Sequence, residues 1–511
     1  MQITLPIQHD PWMANGIETL YRLIKDLEGC QAEIYKDSVE INIQNEKAFL
    51  RNFRDRINSK QDKVIFYTKK DEEGQKRYIK KDFVLIQYGK AQDRNILKEK
   101  IFLETEDRLN DIFSKLESGN RICVLCGRSF DKRVDNLKQA VYPFVTKIRS
   151  LSGVRKMRDN YLNICPLCYL VGTLEWLDEG MIYRCFLGPA SRMYSTAFLP
   201  FEMNLRKLNE AKERYIELLN GENQQISNVL KVQLTKEGEK LIPTEGENTT
   251  VLRFFEKFID NIVGEFEIGQ TDGTGLLKTV ERTFCKKWSM LIIPSGVVKN
   301  VKYRSLILED EILRLLVELQ RHEMKVYNHI IEKLAVKTKT GRTSFDDTND
   351  LRENAAKFIL KDDFKKFSRI FLPKKKETAF FVKIKYLDML VEFWRLRKME
   401  LEQELESIKG TGKALAKLIE KHISIFYSLD KAKTRSEFLR AFEQASKKLV
   451  GLKDEERGDI FHPALEKVTD LILKSNENGW KIIRDALIIY AGIYYSWNRY
   501  SKSKKQEGDK K

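Results

Sequence analysis

The sequence predicts an α+β protein: a mixed α/β N-terminal region carrying an inserted four-cysteine lobe, a mostly helical middle and a C-terminal helical bundle. Three observations predict it. Short alternating apolar segments fill the first hundred residues, two Cys-x-x-Cys pairs interrupt the chain at 123–126 and 165–168, and apolar stripes at helical spacing follow one another from Ile384 onward. They divide the 511 residues into an α+β domain at 1–120, a knuckle lobe at 121–170, a mixed and mainly helical region at 171–380, a bundle at 381–500 and a disordered basic tail at 501–511.

Ile17, Leu20, Leu23, Ile24 and Leu27 recur at helical spacing, so 10–27 reads as a helix, stopped by Gly29. Segments 33–35 and 39–43 alternate like a short hairpin, and 46–57 is a basic amphipathic helix. Segments 63–67 and 83–88 are strand-like and joined through the polar stretch 69–81; a helix over 96–116 then leads into the first cysteine pair. Beyond Cys168, residues 169–177 are apolar and helical, 180–200 read as strand and loop, and 205–219 as a charged helix. The polar stretch 220–250, with Gly221, Gly238 and Gly246, marks a boundary and holds a hairpin at 229–241, after which 252–262 resumes as helix. In the bundle, Leu387, Leu390, Trp394, Leu401, Leu405 and Ile408 form one stripe, ended by Gly410 and Gly412; Leu415, Ile419, Ile423 and Phe426 form the next. Thr434 with Glu437 makes a capping box for a third helix, Pro463 starts a fourth, and 480–500 is a fifth. Short connections of this kind build an antiparallel bundle.

Cys123, Cys126, Cys165 and Cys168 supply four thiolates, each pair opened by an isoleucine. The tight turn of each pair lets both sulfurs face one point, as a tetrahedral zinc ion requires. The pairs are separated by 38 residues, more than the roughly 15 to 20 of a compact zinc ribbon, so the site would clasp the two ends of an inserted lobe. Gly127 follows Cys126, where a knuckle turn calls for positive φ. Four cysteine ligands leave no position for substrate, so the expected Zn²⁺ is structural. The competing uses are a redox pair, an iron–sulfur site or unrelated buried thiols; a redox Cys-x-x-Cys belongs near a βαβ pattern, which the sequence lacks.

Lys plus Arg number 92 against 75 Asp plus Glu, a net charge of +17, and the pI is about 9.2. This excess points to a polyanionic partner, nucleic acid foremost; the alternative is an ordinary basic protein of the Lys/Glu-rich, thermophile kind. Between the knuckles nine basic residues stand against three acidic ones, with Tyr142, Phe144 and Tyr161 interleaved. Arg128, Lys132, Arg133, Arg155, Lys156 and Arg158 are the candidate nucleic-acid-binding residues of this lobe. The other reading of the same stretch is a solvated loop whose aromatics pack on the knuckle. Cys30, Cys185 and Cys285 are scattered and form no disulfide framework, which points to a reducing compartment. Residues 1–13 carry no signal-peptide pattern, and the apolar run 486–497 is too short to span a bilayer and is flanked by Arg484 and Arg499, so a cytoplasmic protein with no membrane contact is expected.

Motifs for chemistry are weak. Gly269, Gly273 and Gly275 fit neither the P-loop nor the dinucleotide fingerprint, and no Walker motif occurs. His322-Glu323 is followed by His329 two turns later rather than one, so these read as surface histidines on a long helix. Asp346, Asp347 and Asp350 fit a two-metal centre or, better, capping carboxylates before Leu351. No catalytic residue is assigned; the competing readings are a zinc-stabilised nuclease or other nucleic-acid-processing enzyme acting through these three aspartates, and a general RNA-binding scaffold.

The two distant cysteine pairs, the opening Asp10-Pro11-Trp12-Met13-Ala14-Asn15-Gly16-Ile17, the length and the terminal bundle together resemble a known family. The chain looks like the CXXC-CXXC (Cst-type) large subunit of type I CRISPR surveillance complexes, or Cascade, of subtypes I-A and I-B. The likeness spans the whole chain in layout, and its specific motifs lie in the first third. It implies a non-catalytic antiviral subunit that binds the crRNA 5′ handle region and target double-stranded DNA, recognises the protospacer-adjacent motif (PAM), assists duplex opening, holds the displaced strand and recruits a helicase-nuclease. It also implies partnership with the other Cascade subunits, those of the backbone and of the 5′ handle. In such systems the guide reads sequence while the protein reads PAM and backbone. No local motif identifies a PAM-reading residue.

Overall fold

The computed structural model describes residues 1–64, 66–70, 76–80, 106–134, 137, 141–144, 163–180, 182–187, 193–219, 230–235, 238–243, 246–265, 275, 285–294, 302–337, 343–373, 377–450 and 462–508. These are mixed α/β and mostly helical, with small antiparallel sheets. They gather into two units, Met1–Thr244 with Glu281–Ile307, and Glu245–Val280 with Leu308–Lys511.

Unit 1 opens on a sheet of β1 (Gln2–Pro6), β2 (Cys30–Ile34) and β3 (Ser38–Ile43) in the order β1-β3-β2, with Ile3 opposite Ile41 and Leu5 opposite Val39 on its buried face. β1 goes unforeseen because five alternating residues at a terminus say little alone. Helix α1 (Pro11–Ile24) starts where the Asp10 carboxylate accepts the Met13 N–H at 3.0 Å, with proline in the first turn. Helix α2 (Glu46–Val64) runs past its expected end. β4 (Phe66–Lys70) then pairs with β5 (Lys76–Lys80), inside the stretch expected to be a connection, because a five-residue link closes a local hairpin at less entropic cost than a long one. Segment 83–88, expected as the partner strand, lies outside the described residues, as do 96–105 of the expected helix, whose remainder is α3 (Glu106–Ser114).

The rest of unit 1 comprises the hairpin β6 (Arg121–Ile122) and β7 (Ser129–Phe130), α4 (Pro166–Leu174), β8 (Ile182–Leu187), β9 (Met193–Pro200), α5 (Leu205–Leu219), the hairpin β10 (Leu230–Thr235) and β11 (Gly238–Pro243), and finally β12 (Lys287–Pro294) and β13 (Lys302–Ile307). The larger sheet has the order β13-β12-β9-β8, antiparallel throughout. Helix α1 is buried on both its faces, packed on α4 and α5. Gly16 permits the crossing: a Cβ there would stand 2.6 Å from the Val171 carbonyl oxygen.

Being buried all round, α1 also takes its polar stripe inside. Glu18 and Asp178, both inaccessible to solvent, flank the equally buried Lys212, whose Nζ lies 3.1 Å and 2.7 Å from their carboxylates. Arg22 completes the network at 2.6 Å from each acid. Glu175, a third buried acid, accepts from Thr19 Oγ1 at 3.1 Å. Burial first, and then the neighbouring Asp178 and Glu18, push its carboxyl well above the usual range against the pull of Lys212. With Glu175 protonated the network holds two positive and two negative charges and is neutral, as a dry interior requires.

Unit 2 is built around α6 (Glu247–Glu265), α7 (Asp310–Arg321), the short α8 (Val326–His329), a sheet of β14 (Leu334–Lys337), β15 (Thr343–Ser344) and β16 (Glu377–Phe380) in the order β15-β14-β16, α9 (Phe345–Leu360), α10 (Phe364–Ser368) and α11 (Ile384–Val391). Two glutamates, Glu256 buried and Glu353 partly buried, cap two of these helices from outside them. Glu353 accepts from the backbone of Asn248 and Thr249 and from Asn248 Nδ2 at the start of α6. Glu256 accepts from the Val326 and Tyr327 N–H groups at the start of α8.

Burial raises the Glu256 carboxyl from 4.5 to about 7 against these hydrogen bonds. The folded chain thus keeps a proton that the unfolded chain releases, so stability present below pH 4.5 is lost as pH rises to about 7, by about 3 kcal/mol. Urea midpoints followed over that interval should fall more steeply for the wild type than for Glu256→Gln, and parallel profiles would refute the assignment.

Among the described residues the C-terminal helices are α12 (Leu405–Lys431), which kinks at His422, where φ is −133° and ψ 47°, α13 (Arg435–Val450), α14 (His462–Lys474) and α15 (Glu477–Gly508). The capping box forms as the sequence indicates: the Glu437 N–H donates to Thr434 Oγ1 at 3.2 Å and the Thr434 N–H to the Glu437 carboxylate at 3.4 Å. Two boundaries differ. The break expected at Gly410 and Gly412 falls instead at Glu400, where φ is 56°, and α12 runs through both glycines because its buried face is held against α15. The tail expected to be disordered from 501 continues α15 to Gly508. The apolar run 486–497 lies within α15, and among the described residues no helix is long and apolar enough to cross a membrane.

Candidate metal centre

The first cysteine pair sits in the tight loop of the β6–β7 hairpin. The Cys123 N–H donates to the Arg128 carbonyl and the Gly127 N–H to the Cys123 carbonyl, each at 2.9 Å. Gly127 has φ +71°, the left-handed conformation expected of it. The second pair sits on a helix start. Cys165 is the N-cap of α4, its sulfur accepts the Cys168 N–H at 3.4 Å, and Pro166 opens the helix. One further backbone bond, from the Val124 N–H to the Asn163 carbonyl at 3.0 Å, ties the hairpin to the strand of chain that precedes the helix.

The four sulfurs therefore converge. All lie within 4.8 Å of one another, and Cys126 Sγ is 3.7 Å from Cys165 Sγ. A tetrahedral ion with sulfur bonds of about 2.3 Å sets its sulfurs about 3.8 Å apart, so the cradle fits a metal and is too wide for a disulfide; all four cysteines are free. Cys123, Cys165 and Cys168 are buried and Cys126 is partly exposed. Hydrogen bonds from Cys126 and the other two thiols hold Cys123 well below the ordinary thiol range, while hydrogen bonding to Cys123 pushes Cys165 and Cys168 above it. Four adjacent thiolates repel one another, and a dication removes that conflict. The α4 N-terminus adds positive potential on the Cys165 side. Gln8 Nε2, 3.5 Å from Cys168 Sγ, supplies a donor that no sequence pattern announces.

The motif at 10–17 is built into the same body. Trp12 Nε1 donates to the Val141 carbonyl at 2.8 Å and to that of Gly172 at 3.2 Å, and Tyr142 donates its hydroxyl hydrogen to Asp10 at 2.7 Å. Phe144 packs against Tyr142 and Tyr303, with ring centroids 5.2 Å and 5.8 Å away. Two of the three aromatics of the inter-knuckle lobe are thereby engaged in unit 1, and Tyr161 lies outside the described residues.

The basic candidates are less uniform. Arg128 donates to the Thr4 carbonyl at 2.5 Å, Lys132 is exposed, and Arg133 is partly buried. Arg155, Lys156 and Arg158 lie outside the described residues, as does most of the loop at 269–275. Elsewhere, His322 ends α7 and His329 ends α8, so the two are not on one helix; Glu323, at φ 54°, separates them. Asp346 and Asp347 lie in the first turn of α9 and Asp350 within it, so none is the N-cap, which is Ser344. The helix simply starts six residues before Leu351. Among the described residues the four cysteines are the group placed to hold a metal ion. No family model and no curated protein matches the chain.

Proposed function

We propose that the clasp holds a structural zinc ion and that the chain is the non-catalytic large subunit of a type I CRISPR surveillance complex. The observation that carries this reading is that its two defining motifs form one body. The helix opened by Asp10-Pro11-Trp12 lies directly on the helix opened by Cys165, through Trp12, Gly16 and Val171. Cysteine in all four positions favours zinc and leaves the metal closed to substrate. A net charge of +17 suits partners made of crRNA and target DNA. The exposed Lys132, together with Arg133, Arg155, Lys156 and Arg158, is proposed to grip nucleic-acid backbone, with Arg128 sharing its guanidinium between that task and β1. PAM contact, duplex opening and recruitment of a helicase-nuclease in the cytoplasm follow as roles of such a subunit. The test is to purify the chain from its own cells at low salt and sequence the RNA it carries. Guide RNAs sharing one repeat-derived 5′ end are expected; a folded, metal-loaded chain that elutes without RNA or CRISPR subunits would overturn the proposal.

A further inference from the structure

The four-stranded sheet of unit 1 ends on an open edge, because β13 is its outermost strand and pairs with β12 on one side only. The Phe201 N–H donates to the Lys287 carbonyl at 2.9 Å, so Lys287, Ser289 and Leu291 turn their backbone groups to β9, and the alternate residues Trp288, Met290 and Ile292 turn theirs to β13. Those three stand opposite Leu306, Arg304 and Lys302, which leaves the N–H and carbonyl groups of Tyr303, Ser305 and Ile307 pointing away from the sheet. Among the described residues none of these groups has a hydrogen-bond partner. Other edges are covered. Arg128 donates to the Thr4 carbonyl on β1, Arg206 to the Ile34 carbonyl on β2, and on β16 Phe380 gives its N–H to Ser496 and accepts from the Trp497 indole. The side chains on β13 also break the usual protection of an edge by charge or cover. Leu291 and Ser289 are fully buried on β12, yet their neighbours across the ladder, Tyr303 and Ser305, are exposed, Tyr303 by 44%, and Ile307 by 56%. Contacts with Phe144 and Ser289 Oγ hold the Tyr303 ring in place without closing the edge beside it.

We propose that β13 pairs with β13 of a second copy of this chain, antiparallel about a two-fold axis through Ser305, so that two sheets join into one. The sequence of the strand selects both the occupant and the register. With the axis at Ser305, Tyr303 stands opposite Ile307 of the partner subunit and Ile307 opposite Tyr303 of the partner subunit, an aromatic against a β-branched side chain at both ends. Arg304 meets an apolar Leu306 of the partner subunit, and every outward N–H and carbonyl from Tyr303 to Ile307 gains a partner. Moving the axis to Arg304 would set that arginine against its own copy, and moving it to Leu306 would separate Tyr303 from Ile307. A strand pair this short lies at the small end of protein interfaces, so the dimer is weak and forms with rising concentration. The net charge of +17 on each copy opposes it, which makes salt a promoter of association. The inference goes beyond the proposed function and does not depend on nucleic acid.

The experiment is sedimentation equilibrium of the full chain, stripped of nucleic acid by nuclease and a high-salt wash, over roughly 5 to 500 μM. A reversible monomer–dimer equilibrium is expected, tightening as salt rises from about 0.1 to 1 M and the screening length falls from about 10 to 3 Å. Association bridged by residual nucleic acid would weaken over the same series. Ile307→Lys sets a charge on the open edge, and should raise the dimer Kd by about tenfold or more while melting stays that of the wild type. Ser305→Cys reads the register. Residues directly opposite in a hydrogen-bonded antiparallel pair have Cα atoms about 5.5 Å apart, within reach of a disulfide, so glutathione disulfide as oxidant should join the two introduced thiols. In Tyr303→Cys the introduced thiols lie about 14 Å apart along the ladder and should stay free. A wild-type chain that remains monomeric throughout, an Ile307→Lys variant that dimerises as the wild type does, or a Ser305→Cys chain whose introduced thiols stay free would each overturn the proposal.

Discussion

Replacing Lys212 with methionine should destabilise unit 1 by about 3 to 5 kcal/mol, the cost of stranding buried acids without their cation. Lys212 bonds both Glu18 and Asp178 and has no exposure at all, whereas Arg22, which also reaches both, is 12% exposed; Met keeps the volume of Lys212 while removing its charge. The urea midpoint should fall with an unchanged slope, since the buried surface is the same. The deficit should also shrink as pH falls from 7. Acids left unpaired in a dry interior have raised pKa values in the folded state, so the folded variant takes up protons and gains stability as they bind. Combining Lys212→Met with Asp178→Asn should recover part of the loss, a coupling on the order of 0.5 to 3 kcal/mol. A midpoint equal to that of the wild type would mean that these charges do not depend on one another.

The same network marks where the sequence stops being informative. The spacing of Ile17, Leu20, Leu23 and Ile24 identifies α1, and both cysteine pairs, Gly127 and the Thr434–Glu437 box are legible because each is a local rule that local geometry obeys. Glu18, Thr19 and Arg22, however, stand at the spacing of an ordinary solvent face, and nothing nearby reveals that Lys212 and Asp178 arrive from elsewhere to bury them. Glu256 and Glu353 hide in the same way, as helix residues that cap other helices. The break at Glu400 rather than at Gly410 shows packing overriding glycine's weak helix propensity. Of the candidate lobe, Arg128 illustrates the difficulty of reading charge alone: its guanidinium is spent partly on the Thr4 carbonyl.

Cys165→Ser should release the metal and abolish cooperative unfolding of unit 1. Serine at an N-cap still accepts the backbone N–H that Cys165 Sγ accepts, so the start of α4 is preserved and the lost ligand is isolated. What remains is a hairpin and a helix joined beside the site by the Val124 to Asn163 bond, with the thiols of Cys123, Cys126 and Cys168 left facing one another. Structural zinc contributes about 10 to 16 kcal/mol to the folding of small peptides, and unit 1, which has a core of its own, should lose a smaller but still dominant share. The most direct measurement is the metal content of the purified wild-type chain, taken with its melting before and after chelation. About one zinc per chain, with the clasp thiols shielded until chelation removes both metal and cooperative melting, is expected. A metal-free chain with reactive clasp cysteines, melting identically with and without chelator, would contradict it.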